Sequence, residues 1–188
     1  MDYQNMRVEE LKADLIVDAK KGYPFLLAGV FYWLVMGSLG FFIENHQWLA
    51  LCYLIGLGSI FPLALAISKI VKANILTKNP LGELGGIVGG IQSFYLIIWV
   101  VIYIEHYELL PMAIGVLGAS HFLPYLWIYK SKTYVTFTIL MGASSFVFGY
   151  IFVGQAFSIL PFLLAIIYLL SVIGLRVETK KFIASQEE

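Results

Sequence analysis

Few side chains in this sequence carry the chemistry to bind or react. In its apolar middle stand Gln92, Ser93, Ser120 and His121, with Ser144, Ser145 and Ser171 further on. Gln92 lies eight residues into one long apolar run, and His121 lies eight residues before the end of the next. At 1.5 Å per residue each is roughly 12 Å from the same end, so adjacent antiparallel helices would hold them at one level. Tyr125 follows His121 by four positions and Gly118 precedes it by three, which puts all three on one helix face. This predicts a cytoplasm-facing cavity lined by Gln92, His121 and Tyr125, with Lys69 and Lys78 at its mouth, for a small solute or a lipid headgroup. An ionisable group at such depth is a functional candidate by default. The alternative is a neutral His121 hydrogen-bonded to Gln92, fixing helix packing.

Other constellations are weaker. Glu44, His46, Glu105 and His106 are plausible metal ligands if their two connections meet, but no ligand spacing is diagnostic. Gly82, Gly86 and Gly90 recur four apart, as do Gly85, Gly89 and Ser93. Small residues at that spacing let helices approach closely in lipid. The other reading is an anion or headgroup site, where the start of a helix offers unpaired N–H groups near Lys72 and Lys78. There is no HExxH, Walker or CxxC pattern, so no cofactor is expected. Ser144 and Ser145 lack a partner acid and do not read as nucleophiles.

The elements that would position these residues follow from composition. The 188 residues are 60% hydrophobic and 13% charged, with a mean hydropathy of +0.85. Soluble domains run about 45–50% apolar and about 25% charged, so an all-α polytopic membrane protein is expected. A membrane helix needs about 20 mostly apolar residues. Six such runs stand at roughly Tyr23–Ile43, Trp48–Ile70, Leu84–Ile104, Leu109–Tyr129, Tyr134–Gly154 and Phe157–Leu175. The expected organisation is a cytoplasmic amphipathic helix over 1–22, a six-helix membrane domain over 23–176 and a cytoplasmic tail over 177–188. A barrel is disfavoured, because its strands are about 10 residues long with alternating polarity.

Charge sets the orientation. There are 12 Lys+Arg and 12 Asp+Glu, for a formal net charge of zero, which argues against a nucleic-acid partner. Every basic residue falls before the first run, at the second or fourth connection, or after the last run. The other three connections carry only Glu44, Glu105 and Glu108. The positive-inside rule then places both termini in the cytoplasm of a plasma-membrane protein. No cleavable signal peptide is expected, since residues 1–21 are charged throughout. Cys52 falls within a run and reads as a small apolar residue.

Residues 3–20 show Val8, Leu11, Leu15 and Ala19 at helical spacing, with acids between them. Such a helix packs under the bundle, lies on it, or docks a membrane partner. Pro62 and Pro124 fall inside apolar runs and should break or kink their helices. Strings around them resemble each other loosely, which is compatible with three stacked hairpins.

The strings FPLALAISK (Phe61–Lys69), NPLGELGGI (Asn79–Ile87) and HFLPYLWIYKS (His121–Ser131) resemble those of a small uncharacterised family of bacterial multi-pass membrane proteins. The resemblance implies a bacterial plasma-membrane location and no established activity. Three functions therefore stay open. A small-solute transporter fits the spans, prolines and polar cavity. A non-transport module, such as a sensor, immunity factor or accessory subunit, fits the acidic amino-terminal helix. An intramembrane enzyme using His121 as general base is the weakest, for want of an acid or metal beside it.

Overall fold

The computed structural model describes residues 3–187, and among them every regular element is helical. The parts of the expected terminal segments that fall on Met1, Asp2 and Glu188 lie outside the described residues. The helices are α1 (Val8–Ala19), α2 (Tyr23–Leu39), α3 (His46–Leu57), α4 (Ile60–Ile70), α5 (Pro80–Gly90), α6 (Gln92–His106), α7 (Leu110–Phe122), α8 (Tyr125–Ile128), α9 (Lys132–Phe146) and α10 (Leu160–Glu187).

Local chemistry explains most boundaries. Pro24, Pro80 and Pro111 sit in the first turns of α2, α5 and α7, where a missing N–H costs nothing. Asn45 and Asn79 cap α3 and α5 by accepting from backbone N–H groups two or three residues on. Lys20, Lys21 and Gly22 take φ values of 50°, 54° and 68°, a left-handed run that separates α1 from α2. Gly22 meets this demand without strain. Pro62 cannot hydrogen-bond the carbonyl of Gly58, and α3 and α4 accordingly bend by 47° at that break. Pro124 similarly falls between α7 and the short α8.

By length and apolarity, four helical stretches can cross a membrane: Val8–Leu39, Pro80–Ile128, Lys132–Ile151 and Leu160–Gln186. The bent pair α3–α4 raises the count to five. The six spans expected from the sequence are therefore not reproduced as six. The expected second span is bent into two pieces. The expected third and fourth run on as one helical stretch. The amino-terminal helix and the expected first span likewise count together, and the expected tail from residue 177 is the last part of α10.

Packing forms a closed ring in the order α2, α10, α9, α7, α6 and α3, with α3 returning to α2. Close approach in this ring relies on glycines facing large side chains. A Cβ on Gly29 would stand 2.2 Å from the Tyr168 ring, and one on Gly37 would stand 2.8 Å from Phe162. Beyond the bend, α4 stays packed along α2 but does not pack along α5.

The basic residues collect at one end. Lys20 Nζ donates to the Val71 carbonyl, Lys130 pairs with Glu9, and Lys12 lies 3.7 Å from the centroid of the Trp127 ring. The most connected of these contacts is a pair between buried Lys21 and half-buried Glu178. Lys21 Nζ donates to Glu178 Oε2 at 2.8 Å, while Glu178 Oε1 accepts from Thr133 N (3.1 Å) and Thr133 Oγ1 (2.8 Å). Tyr134 Oη donates to the Lys21 carbonyl at 2.8 Å. Partial burial pushes the Glu178 carboxyl up, but the Lys21, Ser131 and Thr133 side chains together outweigh it and hold it below the usual carboxylate range.

A depressed folded pKa contributes stability that is complete above the unfolded value and is lost as pH falls through the folded one. Glu178→Gln should lower stability in detergent at neutral pH by about 1–3 kcal/mol, because it leaves Lys21 buried without its counter-charge. Thermal unfolding at stepped pH checks this: the gap between variant and wild type should close in acid.

Candidate functional site

A cavity of about 320 Å³ lies within the basic half of the bundle. Leu15 and Ala19 of α1 close one side, Phe25, Tyr32 and Trp33 of α2 a second, and the glycine face of α5 a third. Gln92, Trp99, His121, Phe122 and Tyr125 complete the wall. No Asp, Glu, Lys or Arg lines it among the described residues.

Gln92 and His121 meet inside this wall. The Gln92 amide nitrogen stands 2.6 and 2.8 Å from the two ring nitrogens of His121. In a neutral imidazole the ring nitrogen without a proton accepts from the Gln92 N–H. The Gln92 amide oxygen and second N–H keep no protein partner among the described residues. Tyr125 Oη donates to the Gly85 carbonyl at 2.6 Å, and its ring stands in T-shaped contact with His121 at 6.5 Å between centroids.

The glycines divide by role. Gly85 and Gly89 face Tyr125, where an added Cβ would meet the side chain at 3.3 and 3.4 Å. Gly82 faces Thr77 and Leu15. Gly86 and Gly90 face open space, so of that row only Gly82 meets another helix, α1. The anion reading of the α5 start is also corrected. Asn79 already fills the capping position, and Glu83 puts a negative charge in the first turn. Lys69 and Lys78, expected at the mouth, are exposed and are not among the lining residues. The basic end is covered by α1, which buries Leu11, Leu15, Ile16 and Ala19.

No group of three or more His, Cys, Asp or Glu side chains that could hold a metal occurs among the described residues. His46 stacks on Phe157 at 5.0 Å and His106 Nδ1 lies 3.4 Å from Glu108, so the expected set with Glu44 and Glu105 is not gathered. Each imidazole already has a local partner that holds it apart from the others.

Two site residues escaped the sequence reading. Trp33 and Trp99 are buried at 1% and 3% exposure and line the cavity, yet nothing in their local spacing separates them from other apolar residues. The Trp99 indole N–H is buried without a hydrogen-bond partner.

Residues 8–178 match the model of a family of unknown function, DUF7010. The chain belongs to this family. The DUF7010 match takes in all the cavity-lining residues and ends on Glu178. No curated protein and no solved structure matches the chain. Membership thus agrees with the resemblance to an uncharacterised family and brings no assigned residues with it.

The Gln92–His121 contact makes a quantitative expectation. His121→Leu and Gln92→Leu should each lower thermal stability, since each strands a buried polar group. The double variant should lose less than the sum, with a coupling of about 0.5–1.5 kcal/mol. Additive losses in unfolding experiments would show that the two side chains do not interact.

Proposed function

We propose that this is a multi-pass membrane protein crossing the bilayer six times, and that it takes a small uncharged solute into the cavity around Gln92 and His121 and passes it across. The observation that carries the reading is a hydrogen-bonding pair in the wall of an uncharged cavity inside an apolar bundle.

The crossing count rests on geometry and length. Pro80–Ile128 is 49 residues, about 74 Å of helix at 1.5 Å per residue, against a hydrocarbon core of about 30 Å. His106 leaves helical geometry at φ −151°, ψ 62°, and α6 packs back along α7, which supports two crossings. Adding α2, the bent pair, α9 and α10 makes six. The basic end belongs in the cytoplasm by the positive-inside rule, so both termini lie there.

Broken helices support translocation, because irregular backbone at membrane depth is tolerated where it lines a cavity or is buried in protein. The chain has three such breaks: the 47° bend, the joint at Pro124 and the π-helical turn Val147–Ile151. A second reading, a non-transport module, is favoured by the seal that α1 and the Glu9–Lys130 pair make over the basic end.

Cysteine labelling separates the two. Position 89 lines the cavity, and a side chain there meets Tyr125 at ordinary contact distance. In a Cys52→Ala background, Gly89→Cys should react with a membrane-impermeant maleimide from at least one water face of sealed vesicles. Reaction with a membrane-permeant maleimide alone would contradict translocation and leave the module reading.

A further inference from the structure

The rim of the cavity identifies the phase from which its ligand comes. Most lining residues are buried or half-buried. Three are both lining and exposed: Phe61 at the start of α4, Leu76 in the connection to α5, and Gly86 on α5. Phe61 and Leu76 are 53% and 67% exposed. None of the three has a polar side chain. They come from α4, from α5 and from the connection between them, and the two helices have no extensive packing on each other. An opening to water would carry polar side chains at its edge. An apolar edge on a membrane bundle instead opens to hydrocarbon.

The interior restricts the chemistry further. No acid or base lines it, so an ionic ligand would lose its hydration without gaining a counter-charge, a cost of several kcal/mol. Aromatic and aliphatic side chains make up most of the wall, which suits an apolar chain or ring. Among the described residues, polar functions without a protein partner that a head could use include the Gln92 amide oxygen, its second N–H, and the buried Trp99 indole N–H. That set matches an uncharged head with both an acceptor and a donor, such as a hydroxyl, amide or hydroxy-ester.

We propose that the cavity is a binding site for an uncharged amphiphile that enters sideways from the bilayer between α4 and α5, with its head on Gln92 and Trp99. This rests on reading the cavity as a ligand site, and not on translocation.

The buried tryptophans provide the test. Trp48 and Trp127 are exposed, whereas Trp33 and Trp99 are enclosed. A Trp48→Phe/Trp127→Phe variant therefore reports on the cavity by fluorescence. It is reconstituted in phosphatidylcholine vesicles doped with one of three brominated probes: a dibrominated monoacylglycerol, a dibrominated phosphatidylcholine, or ionised dibromostearate. The expected result is strong quenching by the monoacylglycerol. Equal quenching by the phosphatidylcholine would overturn the assignment of an uncharged head.

Gly86→Leu is the companion variant. Its side chain starts in open space at the rim, so the fold tolerates it while the opening narrows. It should abolish the cavity quenching and leave quenching of the exposed tryptophans in the wild-type background intact. Absence of quenching by every probe, equal quenching by the ionised one, or quenching that survives Gly86→Leu would each overturn the proposal. Maleimide labelling of position 89 is read separately, so a failure of translocation and a failure of lateral entry are told apart.

Discussion

Glu178 holds together what the rest of the bundle needs held. Its two oxygens reach the joint between α1 and α2 through Lys21, and the first turn of α9 through Thr133. Helix α9 has no side-chain cap of its own, so the carboxylate also satisfies one of its orphan N–H groups. Lys21 sits in a left-handed conformation at the joint, and its carbonyl accepts from Tyr134. A single acid on α10 thereby sets how three other segments leave the basic end. With that joint in place, α1 is directed back across the bundle, where Leu15 and Ala19 become cavity wall.

Exclusion of charge from hydrocarbon shapes the remainder. A basic side chain at the bilayer centre is costly, and here the lysines gather at one end, several of them in mutual contact with acids or carbonyls. The interior is left with uncharged polar groups, and these need partners within the protein. Gln92 and His121 find each other, Tyr125 finds Gly85, and Trp99 finds none. The bend after α3 adds a second consequence. Helix α4 follows α2 and has no extensive packing on α5, and the cavity that holds the unsatisfied groups is lined from both.

Much of this was legible in the residues. The membrane class follows from the long apolar runs, and the break near Pro62 follows from a missing N–H. The Gln92–His121 contact follows from equal depth on neighbouring helices, because 1.5 Å per residue is a reliable ruler along any helix. Other features depend on which faces meet, and a uniformly apolar helix has no polar face to reveal that. Gly29 and Gly37 face Tyr168 and Phe162, while the more conspicuous Gly86 and Gly90 face nothing. The division of the third and fourth apolar runs is faint for a related reason: α5 through α8 form nearly continuous helix, and His106 is where the backbone departs from it. Lys69 and Lys78 are near the site in sequence, but Lys69 at the end of α4 and Lys78 in the connection to α5 are both exposed. Glu178 went unread because its partners lie 157 and 45 positions away.

The central claim is that the cavity around Gln92 and His121 is a place for a guest rather than a fault in packing. An experimental structure of the full chain in lipid nanodiscs tests it most directly. The account predicts elongated density that begins at the gap beside Gly86 and ends within hydrogen-bond distance of Gln92 and Trp99. Side chains collapsed into that space, with Tyr125 and Phe122 filling it and no density between α4 and α5, would contradict it.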